Sequence, residues 1–242
     1  MKTAFEGRTA LVSGGTKGIG EAIVRDLLEA GFKVAFTARS AQDVASLEKE
    51  LSHGATGRVL GLEADVRSPE GCQAVVERLV NEFGGLDVLV NNAGVGRFAP
   101  IQEMSLEDWH VQIDTNLSGV FFLSRAAIPH LKRSSDAWVL NIGSLAGRNP
   151  FAGGAAYNAS KFGRLGMTEA MMLDLRYEGI RVSLIMPGSV DTGFGGRPEG
   201  KKTGWALTPE DVSRAVLDLL RYPANAHPSR VELRPSQPPR KG

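Results

Sequence analysis

Tyr157 and Lys161 lie four positions apart in the chain, so on a helix they share one face. A phenol with its ordinary pKa near about 10 exchanges its proton poorly at neutral pH. A nearby ammonium favours the phenolate and lowers that value, each unit corresponding to about 1.4 kcal/mol. The spacing predicts a phenol tuned for proton transfer. By itself the pair also describes a half-buried aromatic beside a solvated lysine, so its meaning depends on what else the chain carries.

A second cluster is built for phosphate. Ser13-Gly14-Gly15-Thr16-Lys17-Gly18-Ile19-Gly20 follows a short apolar run and precedes an amphipathic stretch. Glycines allow a tight turn and let the backbone approach a pyrophosphate, while a helix N-terminus supplies free N–H groups and partial positive charge. The spacing of Gly14, Gly18 and Gly20 differs from the G-x-G-x-x-G of two-domain dehydrogenases. The second apolar run ends in Thr37-Ala38-Arg39-Ser40 and meets no acidic residue before Asp43. An acidic residue there would hold a ribose 2′-hydroxyl. A guanidinium instead suits a 2′-phosphate, with Lys17 as a second cation and Ser40 as a hydroxyl contact. The pattern favours NADP(H) over NAD(H).

The elements that must position these groups alternate. Apolar runs at 9–13, 33–37, 58–62, 86–90, 137–142, 180–186 and 230–233 are mostly continuous, as for strands buried on both faces of a parallel sheet. Helical patterns fall at 19–30, 41–52, 70–83, 105–132, 155–178 and 209–221. Ser105 and Thr208-Pro209 stand where helix starts are expected. This order predicts one α/β domain over 1–242, a Rossmann-like doubly wound sheet of about seven parallel strands with helices on both faces. Residues 193–206 read as a substrate lid and 234–242 as a loose tail.

Further motifs complete an ordered set: Asp65-Val66, Asn91-Asn92-Ala93-Gly94, Asn116, Ser144, then Tyr157 and Lys161, then Pro187-Gly188-Ser189-Val190-Asp191-Thr192. Together with the glycine loop they resemble the short-chain dehydrogenase/reductase family, its NADP-preferring carbonyl- and ketoacyl-reductase-like members in particular. The resemblance spans residues 9–192. It implies that Tyr157 exchanges the proton and that Ser144 hydrogen-bonds the substrate oxygen. Lys161 would hold the nicotinamide ribose and tune Tyr157, and Asn116 would maintain a relay water near Lys161. It further implies that Gly14, Thr16, Lys17, Gly18, Ile19 and Gly20 meet the cofactor, with Asp65 and Val66 at the adenine. Asn92, Ala93 and Gly94 would run beside it, and Pro187, Gly188, Val190 and Thr192 would meet the nicotinamide end. Two departures stand out. Ser13 replaces the usual threonine and keeps the hydroxyl. The chain ends in Val231-Glu232-Leu233-Arg234-Pro235 rather than a V-D-G-G motif, which argues against ketoacyl-carrier-protein reduction.

The implied activity is NADPH-dependent reduction of a ketone or aldehyde, in the class acting on CH–OH groups. The other reading of the same fold is a non-catalytic NADP(H)-binding redox sensor, which need not retain Asn116, Ser144, Tyr157 and Lys161 together. Expected pocket residues are Gly96, Arg97, Phe98, Leu145, Ala146, 149–153 and Ser189, with Phe194 or Trp205 closing over the ligand and Arg97, Arg197, Lys201 and Lys202 available to an anion.

Composition narrows the partners. With 28 basic and 27 acidic residues the net charge is +1, which gives no electrostatic footprint for nucleic acid. No apolar run approaches the roughly 20 residues that span a bilayer, and a cytoplasmic location is expected. Cys72 is the one cysteine, so no intrachain disulfide forms, and it reads as a buried helix residue. The four histidines are scattered, and no metal is expected. The resemblance implies a homotetramer or homodimer packed through 105–132 and 155–178.

Overall fold

The computed structural model describes residues 5–196 and 204–239. Arg197, Lys201 and Lys202 of the expected lid lie outside the described residues, as do the last three positions of the expected tail. Seven strands form one sheet: β1 (Thr9–Ser13), β2 (Lys33–Ala38), β3 (Val59–Glu63), β4 (Val88–Asn91), β5 (Ala137–Ile142), β6 (Ile180–Pro187) and β7 (Arg230–Leu233). Their order is β3-β2-β1-β4-β5-β6-β7, and every neighbouring pair is parallel. Each lies within two residues of its expected bounds.

The helices are α1 (Gly18–Glu29), α2 (Ala41–Ser52), α3 (Pro69–Phe83), α4 (Leu106–Ile113), α5 (Gly119–Leu131), α6 (Ala155–Leu175) and α7 (Pro209–Leu220). Along β1, Ala10 and Val12 enter one core with Leu27 of α1, Leu47 of α2 and Val216 of α7. Leu11 enters the other core with Val76 of α3, Leu123 of α5 and Leu175 of α6. Both faces of β1, β2, β4, β5 and β6 are buried, which is why their sequences run apolar without alternation. Ser40, Ser68, Ser105 and Thr208 cap α2, α3, α4 and α7 through their side-chain oxygens. Cys72 is buried on α3, where burial pushes its thiol up to about 11.

One element departs from expectation. The helix expected over 105–132 is interrupted by a π-helical turn at Asp114–Ser118, between α4 and α5. The wider turn has no composition signature. It is visible only once the partner of its carbonyls is known.

Candidate active site

β1 lies between β2 and β4, so the chain leaves β1 toward one face and β4 toward the other. The crevice beyond their carboxyl ends is where open α/β sheets take ligands. Two loops meet there, and side chains of this chain fix both. Asn92 donates from Nδ2 to the Ser13 and Gly14 carbonyls, each at 3.0 Å. Ser13 Oγ accepts from the Asn92 and Ala93 amides, each at 3.1 Å. Gly14 turns the chain with φ +66°. A Cβ on Gly20 would stand 2.0 Å from the Gly14 oxygen, so the loop closes only around glycine.

The crevice suits a phosphorylated dinucleotide. No side chain caps α1, whose N-terminus begins at exposed Lys17. Arg39 is exposed at the end of β2. Ser40 spends an acceptor site on the Asp43 amide, which explains why Asp43 sits inside α2. Thr16 and Ile19 are half-buried, and Ile19 packs against the core. Asp65 is gripped by Arg67 through Nε and Nη2; that hydrogen-bonded pairing holds its carboxyl below the usual range. Val66 is buried. At the other end, Gly188 donates to Leu233 at 2.8 Å, just after Pro187 ends β6. Val190 bridges to Leu207, and Thr192 faces Gly18 across the cleft.

The catalytic candidates converge beside this crevice. Tyr157 and Lys161 are buried on α6. Lys161 Nζ lies 5.5 Å from the Tyr157 ring centroid and donates to the Gly143 carbonyl at 3.2 Å. Ser144 follows β5, is oriented by the Ala146 amide at 3.1 Å, and hydrogen-bonds the Tyr157 side chain. Gly94 leaves open the space in front of Lys161: a Cβ there would stand 3.2 Å from Asn116 Oδ1 and 3.9 Å from Lys161 Nζ. Asn116 brackets Val95, accepting from its amide at 2.8 Å and donating to its carbonyl at 2.9 Å. The four groups thus lie at the carboxyl end of the sheet, next to the phosphate loop.

Comparison with known proteins decides the family. The short chain dehydrogenase family model matches residues 8–201. The chain belongs to this family. A 3-oxoacyl-[acyl-carrier-protein] reductase of Vibrio cholerae is 36% identical over 188 residues, covering 78% of this chain and 75% of that protein. An NADP-dependent 3-hydroxy acid dehydrogenase of Salmonella typhimurium is 35% identical over 236 residues, covering 93% and 94%. An alcohol dehydrogenase from Thermococcus sibiricus, solved with 5-hydroxy-NADP, is 30% identical with a TM-score of 0.90, covering 97% and 99%.

Within this short-chain dehydrogenase, three sequence expectations change. Burial pushes the Tyr157 phenol above its ordinary value, against the Ser144 hydrogen bond and the charge of Arg164, which pull it down. Burial holds the Lys161 ammonium well below the usual lysine range, and Arg164 pushes the same way. Of the two expected lid aromatics, Phe194 packs on Tyr157 with centroids 5.7 Å apart, whereas Trp205 lines a recess beside α7 with Asp211 and Arg214. Arg97 pairs with Asp108 at 3.6 Å rather than standing free.

Sequence reasoning missed three supporting groups. Ser160 accepts from Asn116 at 3.0 Å and donates to the Tyr157 carbonyl at 2.8 Å, tying the π turn to the catalytic turn of α6. Asn91 and Asn141 are buried and hydrogen-bonded at 2.8 Å, linking β4 to β5. Arg164 is fully buried on α6. Its place three residues after Lys161 was the available signal, since a cation so close on that face must point inward too.

Proposed function

We propose that the chain is an NADP(H)-dependent oxidoreductase that reduces an apolar, aromatic ketone or aldehyde to the alcohol, with Tyr157 as general acid. One observation carries the reading: the Tyr157 phenol, hydrogen-bonded by Ser144, stands over Lys161 at the mouth of a crevice suited to a phosphorylated dinucleotide. Bound NADPH supplies the hydride for the carbonyl carbon. Lys17 and Arg39, with Ser40, take the 2′-phosphate, and Gly14, Thr16, Gly18, Ile19 and Gly20 take the pyrophosphate side. Asp65 and Val66 meet the adenine. Asn92, Ala93 and Gly94 line the cofactor's flank, and Pro187, Gly188, Val190 and Thr192 meet the nicotinamide end. Lys161 holds the ribose hydroxyls in the space that Gly94 leaves open.

Tyr157 then gives its proton to the carbonyl oxygen as negative charge develops there, while Ser144 donates a hydrogen bond to the same oxygen. Asn116 keeps a second acceptor site on its carbonyl for the water that returns a proton toward Lys161. The substrate class follows from the mouth. Phe98 stands edge-on to Tyr157 with centroids 5.5 Å apart, Phe151 lies at 6.4 Å and Phe194 at 5.7 Å. All three are solvent-exposed, and rings so arranged favour an aromatic guest. Arg97 and Arg148 are engaged by Asp108 and Glu232, which disfavours an anion at this mouth. Exposed Leu106, Trp109, Phe121 and Phe162 on α4, α5 and α6 support assembly into a homodimer or homotetramer.

A hydroxy or keto acid is the second reading, supported by the near-full-length similarity to the 3-hydroxy acid dehydrogenase. NADPH consumption over a panel of aryl ketones, aromatic aldehydes, 3-oxo acids and hydroxy acids separates the two. We expect turnover of the aryl compounds with NADPH and far slower turnover with NADH. Preference for the acids would replace the aromatic reading, and no turnover of any compound would favour the redox sensor.

A further inference from the structure

Arg164 lies three residues beyond Lys161 on α6, with none of its surface exposed. Its three nitrogens reach three separate segments. Nε donates to the Asn116 carbonyl at 2.9 Å, Nη1 to the Ile142 carbonyl, and Nη2 to the Ala93 carbonyl at 3.3 Å. These are the π turn, the end of β5 and the loop after β4, the segments that carry Asn116, Ser144 and Gly94. Lys161 Nζ shares the Ile142 oxygen at 3.4 Å. Among the described residues no carboxylate forms an ion pair with either cation. A guanidinium buried without a counter-ion is costly, and an apolar residue of similar volume would serve packing better. Its retention needs another reason.

We propose that Arg164 is a positioning residue of the active site, fixing the three catalytic segments by their carbonyls and supplying positive charge behind Tyr157 and Lys161. Capture of the Asn116 carbonyl accounts for the π turn, because an α-helical turn would commit that oxygen to the amide four residues on. Burial lowers the Arg164 guanidinium to about 10, which leaves it charged near neutral pH, and burial holds the Lys161 ammonium well below the usual lysine range. The titratable groups that face Arg164 are Tyr157 and Lys161, both on its own helix. The π turn, β5 and the β4 loop meet it with carbonyl oxygens.

The inference takes Tyr157 to be the acid of the proposed function, but its test does not need turnover. The chain has three tyrosines, and Tyr177 and Tyr222 are 91% and 46% exposed, so Tyr157→Phe isolates the buried phenol in an absorbance titration. The titration is run on the full chain with and without NADP+, for wild type, Arg164→Gln, Arg164→Met and Arg164→Lys. Removing a cation raises the phenol's pKa. We expect the Tyr157 transition to move up by about one pH unit in the Gln and Met variants and to move up also in the Lys variant, whose ammonium burial depresses as it does that of Lys161, and which melts lower because it loses the fork of carbonyl bonds. A parallel Lys161→Met background removes the one ammonium able to compensate. In reduction the protonated phenol is the active form, so the alkaline limb of kcat/KM should move up with the transition. An unmoved transition in folded Gln or Met variants overturns the proposal, however far stability falls. Should neither fold, an unmoved transition in the Lys variant overturns it. Turnover with an unmoved titration rejects Arg164 alone, whereas a shifted titration without turnover rejects the reductase reading alone.

Discussion

Lys161 is worth more to function than to stability. Burial depresses its ammonium first, and Arg164 adds to the effect. A base whose folded pKa lies below its unfolded value binds fewer protons folded than unfolded between the two, so its contribution makes stability rise with pH across that window. Below the window the full cost of the buried charge is present. Lys161→Met should therefore stabilise the cofactor-free chain near neutral pH by about 1 kcal/mol, with the gain shrinking as pH approaches about 10. Thermal melts across pH check this; a lower Tm for the variant at every pH would contradict it. Residue identity and order singled out Tyr157, Lys161, Ser144 and Asn116 as candidates, and the structure brings them together. The direction of the Tyr157 shift was not legible, because it depends on how deeply α6 buries the phenol. Arg164 was passed over although its place three residues after Lys161 puts it on the same face of the helix.

The glycine loop is the element on which cofactor binding turns. Gly20 faces the Gly14 carbonyl and the Asn92 amide, and a Cβ would stand 2.0 Å from one and 2.5 Å from the other. The nearer obstacle is backbone and cannot rotate away. Gly20→Ala should open the β1–α1 turn, cost about 1–3 kcal/mol, and weaken NADPH binding at least about tenfold, a loss of about 1.4 kcal/mol. Calorimetric titration with NADPH measures it; wild-type affinity would show that the turn is not part of the site. The elements themselves were readable because each signal was redundant. Ser105 and Thr208 mark helix starts, and continuous apolar runs mark strands buried on both faces. The π turn was not readable, because its cause is a contact 48 residues away. Of the two aromatics of the expected lid, Phe194 follows Thr192 closely enough for its position to be constrained, whereas Trp205 depends on how the chain returns to α7.

At the scale of the molecule, the sheet order makes the site. Neighbouring β1 and β4 deliver the glycine loop and Asn92 to one crevice, and β5 and β6 deliver Ser144 and Pro187 beside it. The alternating pattern predicted the doubly wound sheet, and the family motifs predicted which loops meet. The proposed aromatic substrate class rests on the structure, where Phe98, Phe151 and Phe194 gather around one phenol although they are separated by dozens of residues in the chain. The central claim is that this phenol completes carbonyl reduction. The most direct measurement compares kcat/KM for NADPH-dependent reduction of an aryl ketone by the wild type and by Tyr157→Phe, with NADPH affinity measured on both. A drop of about 10²–10⁴-fold at nearly unchanged NADPH affinity is the predicted result; turnover by Tyr157→Phe equal to that of the wild type would contradict the account.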